Sequence, residues 1–486
     1  MNQSQSSDKR TDGLPAPVWE NNTTQVRIET NYGQAEPPRL SWFKDSQKNK
    51  PQSNSLSAAS VIFVSGGMSW ASSIGFGGFT VGSHIQVCWF FGVIIGACIS
   101  AILVHKIKRR LFDIVASVLV VLNGIIFIVS DSYTALVFAR YFDGIAFGLT
   151  LISIIIAGSE QSVKRFRGMH LTVEQTGLVS GAIINIFVLN NSWNPYPNFF
   201  YGILATCFGL VTLISTFFLT IESPVFHLRQ NNDNEALNVL RRLQKPKIVT
   251  DETYSLLNES KALLREDENR GESANISNSL IPMIKLILFR CFVTMSSFLP
   301  MTALFYSAII MATFPNLGNY TVSYYSYLYI LMRMIGVVIS IFSLDTIGRK
   351  LPSTIAVLGG GILLIVIGIL DLNTFNKNNA NITLYLIMFY QLFSGAMASA
   401  STCYLSEAFS VSVKPYFICA VILCENLLQI IVCCTISNLN VTTFSYTLGI
   451  MQIIYAIVFY ITMPETRQTT LRNALKMFEP IFPGRS

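Results

Sequence analysis

The chain has 486 residues, of which 51% are hydrophobic and only 13% are charged, a balance typical of integral membrane proteins and far from that of soluble enzymes. The formal charge of +7 does not indicate nucleic-acid binding, because the basic residues lie mostly between apolar runs, where they orient membrane helices. The 4 histidines are scattered, the 9 cysteines lie inside apolar runs and no phosphate-binding glycine loop is present, so we expect no metal and no cofactor.

The chain begins with a polar stretch of low complexity, residues 1–55, which lacks the apolar core of a signal peptide and predicts a disordered cytoplasmic tail. Apolar runs follow, each close to the roughly 20 residues that a helix needs to cross the hydrocarbon layer. We predict an all-α membrane protein with twelve transmembrane helices in two pseudo-symmetric six-helix bundles, residues 56–221 and 283–463. The predicted spans are Leu56–Gly78, Ile85–Val104, Phe112–Val129, Ala135–Ala157, Leu171–Leu189, Phe199–Thr220, Leu286–Met311, Val322–Leu344, Ile355–Leu370, Thr383–Leu405, Phe417–Ile436 and Phe444–Met463.

A stretch rich in charge, residues 222–282, separates the two predicted bundles, and residues 464–486 form a second polar tail. Charged side chains are too costly in hydrocarbon for this stretch to cross the membrane. Its apolar residues recur every three or four positions, which predicts short amphipathic helices on the membrane surface. A disordered linker is the alternative.

Lysine and arginine gather in the loops on one side of the predicted helices, as in Lys106–Arg110 and Lys164–Arg167, whereas the opposite loops offer only Lys377. By the positive-inside rule, the linker and both termini are cytoplasmic. We expect the protein in the plasma membrane, with glycans on its outer loops. The acceptor sequences for N-glycosylation that fall in those loops begin at Asn190, Asn319 and Asn381.

Three features recur about 240 residues apart, which indicates that one six-helix unit occurs twice. They are a loop after the second and eighth spans, an acid and a base seven positions apart after the fourth and tenth, and a glutamate after the sixth and twelfth. Parallel halves of this kind place a substrate site between them and rock about it. The matching elements are His105–Arg110 with Asp345–Lys350, Glu160 and Arg167 with Glu407 and Lys414, and Glu222 with Glu465.

Four short motifs lie at the ends of the predicted spans, namely Asp345-Thr-Ile-Gly-Arg-Lys350, Glu222-Ser-Pro224, Pro464-Glu-Thr-Arg467 and Ser406-Glu-Ala-Phe409. In order, spacing and placement they resemble the motifs of the sugar porter family of the major facilitator superfamily. The resemblance extends from about Leu56 to Leu471, and the chain looks most like the insect trehalose-transporter-like group. It implies a major facilitator fold and a transporter, not an enzyme.

The resemblance also implies a set of gating residues. In the family, carboxylates at helix ends pair with basic residues and close the cytoplasmic side while the transporter faces outward. The alternative is that these charges only set the topology and solvate the loops. His105 and Lys108 replace an acid and a glycine of the family's first-half loop, so we expect that half of the gate to be weaker or to use different contacts. The gating positions are Arg140, Glu160, Arg167, Glu222, Asp345, Arg349, Glu407, Lys414 and Glu465.

Candidate substrate positions depart from the family pattern. Gln175 matches the fifth-span glutamine that contacts sugar, and Gln429 matches a polar position of the eleventh span. The family's sugar-binding amides of the seventh span are replaced by other side chains in this sequence. Thr402 lies near the position of a tenth-span family motif that this sequence lacks. The seventh-span positions are Met295, Ser296 and Met301.

Arg333 falls inside the eighth predicted span and Glu425, beside Asn426, inside the eleventh. A charge in a membrane helix is costly unless it is paired or hydrated, so we expect both to face the central cavity, where they could pair with each other. A structural or gating role, contact with substrate, and misplaced span boundaries are the alternatives. Glu174 and Asp143 share this ambiguity.

These observations favour transport of a sugar, a hexose or a disaccharide such as trehalose, by alternating access. Proton-driven members of the family that the chain resembles typically carry an aspartate in the first span. Here that span contains no carboxylate or histidine, so the resemblance implies facilitated diffusion. The alternatives are a carrier of a non-sugar organic solute, a proton-coupled symporter acting through Glu425, and a sensor that does not transport. The expected partners are the solute and the lipid bilayer, with one chain as the functional unit.

Overall fold

The computed structural model describes residues 42–76, 83–190, 196–313, 319–370, 377–435 and 441–482, which are almost entirely helical. The first half and the linker contain α1 (Trp42–Ser57), α2 (Ser60–Ser73), α3 (Ser83–Leu103), α4 (Arg109–Val129), α5 (Tyr133–Gln161), α6 (Arg167–Leu171), α7 (Val173–Asn190), α8 (Pro197–Leu219), α9 (Pro224–Arg229), α10 (Asp233–Arg242) and α11 (Asp251–Arg270). The second half contains α12 (Glu272–Met295), α13 (Leu299–Thr313), α14 (Asn319–Thr346), α15 (Lys350–Ile369), α16 (Lys377–Glu407), α17 (Lys414–Thr435), α18 (Val441–Thr462) and α19 (Leu471–Phe478).

Ten helical segments of the described residues are long and apolar enough to cross a membrane. The shorter helices α2 and α7 complete the twelve spans, and α12 and α13 together form the seventh. This confirms the predicted all-α architecture of two six-helix bundles. The seventh span is broken because Pro300, just inside α13, cannot supply a backbone N–H, while Ser296 donates its hydroxyl to Val293 O at 2.6 Å.

The same close packing occurs in both bundles, as a repeated unit requires. Between α3 and α5, a Cβ added at Gly96 would lie 2.2 Å from Ile145 O. Between α14 and α16, a Cβ at Gly336 would lie 2.0 Å from Leu392 O. Only glycine allows backbones to approach this closely. Gly336 is about 240 residues beyond Gly96, the spacing at which the sequence motifs recur.

One face of the bundles carries α1, α6, α9–α11 and α19, and we call it the linker side. Apolar side chains from the linker, the α16–α17 turn and α19 form a small core there, which includes Leu228, Leu257, Val411 and Leu471. The linker therefore contacts the second bundle and the C-terminal helix. Pairing of apolar faces explains why amphipathic sequences are helical at this place.

The expectation of a disordered tail as far as residue 55 is wrong for residues 42–55, which form most of α1, while residues 1–41 lie outside the described residues. Helix α1 is held by tertiary contacts. The backbone N–H of Val163 donates to Gln52 Oε1 at 3.1 Å, and the N–H of Lys245 donates to Lys48 O at 2.8 Å. The polar face that suggested disorder thus contacts the first bundle and the linker.

The predicted glycosylation sites do not lie in described loops. Asn381 is in the first turns of α16 rather than in a loop, which corrects its predicted placement. Asn190 ends α7 and Asn319 begins α14, and their side chains lie outside the described set.

Candidate functional site

A cavity lies between the two bundles, with an empty volume of about 490 Å³. Aromatic rings of Trp70, Trp89 and Phe147 line it from the first bundle. Apolar walls that also carry placed polar groups are typical of small-molecule sites. The polar side chains on its wall are Glu174, Gln175, Arg290, Thr294, Ser297, Arg333, Glu425, Asn426 and Gln429.

A network of charges crosses this cavity from one bundle to the other. Arg290 on α12 contacts Glu425 of α17 at 2.7 Å and Glu174 of α7 at 3.5 Å. Thr402 accepts a hydrogen bond from Arg290 at 3.2 Å and donates its own to Glu174 at 2.5 Å. Thr294 donates to Glu425 at 3.1 Å. One guanidinium therefore serves two carboxylates that belong to different bundles.

Arg333 has different surroundings, and the suggested pairing of Arg333 with Glu425 is wrong. It is 2% exposed, donates to Ser394 and to Gln391 Oε1 at 3.4 Å, and lies 5.4 Å from the ring of Trp70. None of these partners is acidic. Glu425 is engaged by Arg290 instead, because α12 and α17 are neighbours in the second bundle.

Two cavity amides retain free hydrogen-bonding capacity. Gln175 donates to Glu174 at 3.1 Å, and its carbonyl oxygen has no partner. The carbonyl oxygen of Gln429 is likewise buried without a partner, while Asn426 donates to Ile422 O at 2.8 Å. Unsatisfied buried acceptors are rare in proteins. They are suited to accept hydrogen bonds from hydroxyl groups of a solute.

The three side chains predicted in the seventh span do not line the cavity. Met301 is fully buried, Met295 packs against the core, and Ser296 hydrogen-bonds Ser394 at 2.7 Å, so none of the three is on the cavity wall. The break between α12 and α13 changes which side chains point inward. Arg290 and Thr294 stand on the wall instead. Sequence analysis missed Arg290, although an arginine inside a predicted span was an available signal.

The linker-side gate consists of contacts that join the bundles at the linker side. Arg167 pairs with Glu407 at 3.0 Å, and Glu407 also pairs with Arg349 of its own bundle. The carboxylate of Asp345 accepts hydrogen bonds from the backbone N–H groups that begin α6, Gly168 at 3.1 Å and Met169 at 2.8 Å. Both acids lie in the second bundle, and their cross-bundle donors lie in the first.

The other half of the gate is built from different contacts. Lys414 donates to Ser159 Oγ at 2.6 Å, and Glu160 accepts from Ser223. At the position equivalent to Asp345 stands His105. Burial, together with the positive charge of Arg229, lowers the pKa of His105 to about 4, so the ring is neutral at pH 7. A neutral ring cannot replace the carboxylate of Asp345.

Glu222 and Glu465 have equivalent roles inside their own bundles. Glu222 accepts from the N–H of Arg109 at 2.9 Å, at the start of α4. Glu465 accepts from the N–H groups of Arg349 and Lys350, each at 3.0 Å, at the start of α15. A carboxylate at a helix N-terminus satisfies free N–H groups and favours the helix dipole. Neither contact crosses the bundles.

Arg140 does not belong to the linker-side gate, which corrects its predicted place. It lies near the other end of α5, where it donates to Ser69 O at 2.9 Å and Ser73 Oγ at 2.5 Å. Only two turns separate it from the first residue of α5, whereas the gate lies at the last residues of that helix.

The cavity is also closed at the end away from the linker. Phe76, which follows α2, lies 5.9 Å from the ring of Tyr306 and 6.2 Å from that of Phe305, both on α13 of the other bundle. Its ring is 5.3 Å from Tyr329 of α14. Aromatic contacts at these distances are favourable. Cross-bundle contacts therefore lie at both ends of the cavity.

The sequence and the fold are similar to those of known proteins. A family model described as "Sugar (and other) transporter" matches residues 41–478. The chain is 26% identical over 290 residues to probable inositol transporter 2 of Arabidopsis thaliana. This match covers 57% of this chain and 48% of that protein. It is 25% identical over 313 residues to the mouse solute carrier family 2, facilitated glucose transporter member 12, covering 62% and 48%. The matches thus span about half the length of these relatives.

Among solved structures, the fold is similar to that of the proton:xylose symporter XylE bound to 6-bromo-6-deoxy-D-glucose. The TM-score is 0.71 at 16% identity, and the match covers 88% of this chain and 98% of that one.

Proposed function

Because this chain belongs to the sugar transporter family, whose model covers residues 41–478, we propose that it carries a sugar or related polyol across a membrane by alternating access. The observation that supports this most is the cavity between the bundles, which cross-bundle contacts close at both ends. Rocking of the bundles about this cavity exposes it to one side at a time. The relatives named as inositol and glucose transporters agree with a polyhydroxylated solute.

The linker-side gate has the energetics that switching requires. Arg167 and Glu407 are almost fully buried, so their attraction is offset by the loss of hydration. Opening the linker side returns both charges to water and recovers that hydration. The difference between closed and open states is then small enough for solute binding to shift the populations.

In the membrane, the linker side faces the cytoplasm in our proposal, with both termini there, because it carries most of the lysine and arginine. The membrane is the plasma membrane. The solute binds with its hydroxyls on the free oxygens of Gln175 and Gln429 and its ring near Trp70 and Trp89. A hexose or a disaccharide such as trehalose is the proposed class, and transport is facilitated diffusion.

An uptake panel in oocytes tests this proposal. Radiolabelled glucose, trehalose and inositol are offered to cells that express the protein at the surface, with uninjected cells as the control. Saturable flux of any of the three supports the proposal and identifies the solute. Flux of a different organic solute alone indicates another cargo, and no flux despite surface expression indicates a sensor.

Proton-coupled symport is the second candidate, and the network around Arg290 favours it. Two carboxylates, Glu174 and Glu425, share a single guanidinium inside the cavity, so protonation of one would leave a neutral ion pair. Coupled transport would give an inward current during uptake and faster uptake at acidic external pH. Electrically silent uptake that is insensitive to external pH would exclude it in favour of facilitated diffusion.

A further inference from the structure

The cavity wall carries a buried cation that has no anion of its own. Arg333 is 2% exposed, and its described partners are the hydroxyl of Ser394, the amide oxygen of Gln391 and the ring of Trp70. Its Nε is buried without a hydrogen-bond partner. A charge inside a membrane helix bundle is costly unless it is paired, and it marks a functional site when it faces a cavity.

The carboxylates of the cavity wall are occupied elsewhere. Glu174 and Glu425, the acids that line the cavity, both contact Arg290. Arg290 is also fixed by the hydroxyls of Ser401 and Thr402 at 3.0 and 3.2 Å. The wall therefore has one region where positive and negative charges meet, and a second region, at Arg333, where positive charge is locally uncompensated.

We propose that Arg333 binds a carboxylate of the transported solute, which is a hydroxylated monocarboxylate such as a hexuronic acid. This rests on the proposed function, because it specifies the solute class of the same cavity. A guanidinium presents a planar set of donors that fits a carboxylate better than a hydroxyl group. The solute hydroxyls bind the free oxygens of Gln175 and Gln429.

The number of charges on the wall selects a monoanion over a dianion. The lining holds two arginines, Arg290 and Arg333, and two glutamates, so it is neutral when empty. A bound monoanion adds one negative charge next to Arg333. A phosphate dianion would add two, close to a pair of carboxylates that already share one guanidinium, and repulsion between like charges disfavours it.

Direct binding to the purified full-length protein tests the proposal separately from transport. The probes are D-glucuronate and D-glucuronamide, which differ in one group, a charged carboxylate in the first and an uncharged carboxamide in the second. We expect the wild type to bind the acid about 10- to 100-fold more tightly, the difference that a charge-assisted hydrogen bond provides. Arg333→Gln should abolish the preference, and Arg333→Lys, which keeps the charge, should retain part of it.

Folding is checked by comparing the melting temperature of each variant with that of Arg241→Gln, an exposed linker arginine that should leave the preference unchanged. Equal binding of the two probes by the wild type, tighter binding of the amide, or no binding of either would overturn the proposal. So would a preference that survives in a folded Arg333→Gln variant. Uptake of glucose, trehalose or inositol in oocytes would still support the proposed function in any of these cases.

Discussion

At the scale of single residues, the cavity depends most on Arg290. It neutralises Glu425 of its own bundle and reaches Glu174 of the other, at 2.7 and 3.5 Å. All three are largely or fully buried, and a buried carboxylate without a partner is far more destabilising than the intact group is stabilising. Arg290 therefore offsets the free-energy cost of burying two carboxylates in a cavity that a solute must enter.

Arg290→Met should lower the free energy of unfolding by about 3–5 kcal/mol, because it leaves two buried carboxylates uncompensated. Thermal unfolding of the purified protein, followed by loss of monodisperse material, measures this. Adding Glu425→Gln to the same chain should recover part of the loss, since one uncompensated charge is removed. A single variant as stable as the wild type would show that the network is fully hydrated.

At the scale of helices, the C-terminal helix α19 is joined to linker helix α11 by ion pairs, most of which involve Glu266. Glu266 pairs with Arg270 at 3.0 Å, with Lys476 at 3.2 Å and with Arg472. Phe478, at the end of α19, is fully buried 5.9 Å from the ring of Tyr404. Partial burial raises the pKa of Glu266, but the hydrogen bonds from Arg472, Lys476 and Arg270 outweigh it and bring the pKa down to about 2.

A lowered pKa stabilises the docked helix above the ordinary pKa of glutamate, and this stabilisation is lost progressively as the pH falls from there to about 2. Docking of α19 should therefore not change between pH 5 and 8. Glu266→Gln should loosen it throughout that range and speed tryptic cleavage after Arg472 and Lys476. Glu259→Gln, on the same helix, is the control. Cleavage at the wild-type rate would mean that burial of Phe478 and the pairing of Arg270 with Glu479 hold the helix without Glu266.

The sequence predicted the positions of the helices better than the directions in which their side chains point. Apolar runs and repeated motifs gave twelve spans and two bundles, because the length and composition of a span follow from the bilayer. They could not predict helix α1, because its sequence is polar and the helix is held by tertiary contacts such as that of Gln52 with Val163. Nor could they place Met295 off the cavity wall and Arg290 on it, since that depends on the break near Pro300.

At the scale of the whole molecule, two bundles surround one cavity and touch at both ends. The contacts are polar at the linker side, where Arg167 meets Glu407, and aromatic at the other, where Phe76 meets Tyr306. Charged contacts exchange protein partners for water when they separate, whereas aromatic contacts lose buried apolar area. The two ends therefore open at the expense of different interactions, and conditions that weaken one need not weaken the other.

A native pair of thiols offers a test of the proposed movement between bundles. Cys98 of α3 and Cys419 of α17 lie 3.8 Å apart, Sγ to Sγ, between helices of different bundles near the linker side. A mild oxidant that removes two electrons and two protons would join them by a disulfide. If the linker side must open during transport, this cross-link should reduce uptake by about 10-fold or more, and a reductant should restore it.

Cys98→Ser should be insensitive to the oxidant, whereas Cys207→Ser, which removes an exposed thiol on α8, should remain sensitive. Uptake that continues at the wild-type rate in fully cross-linked protein would show that the bundles do not separate between α3 and α17.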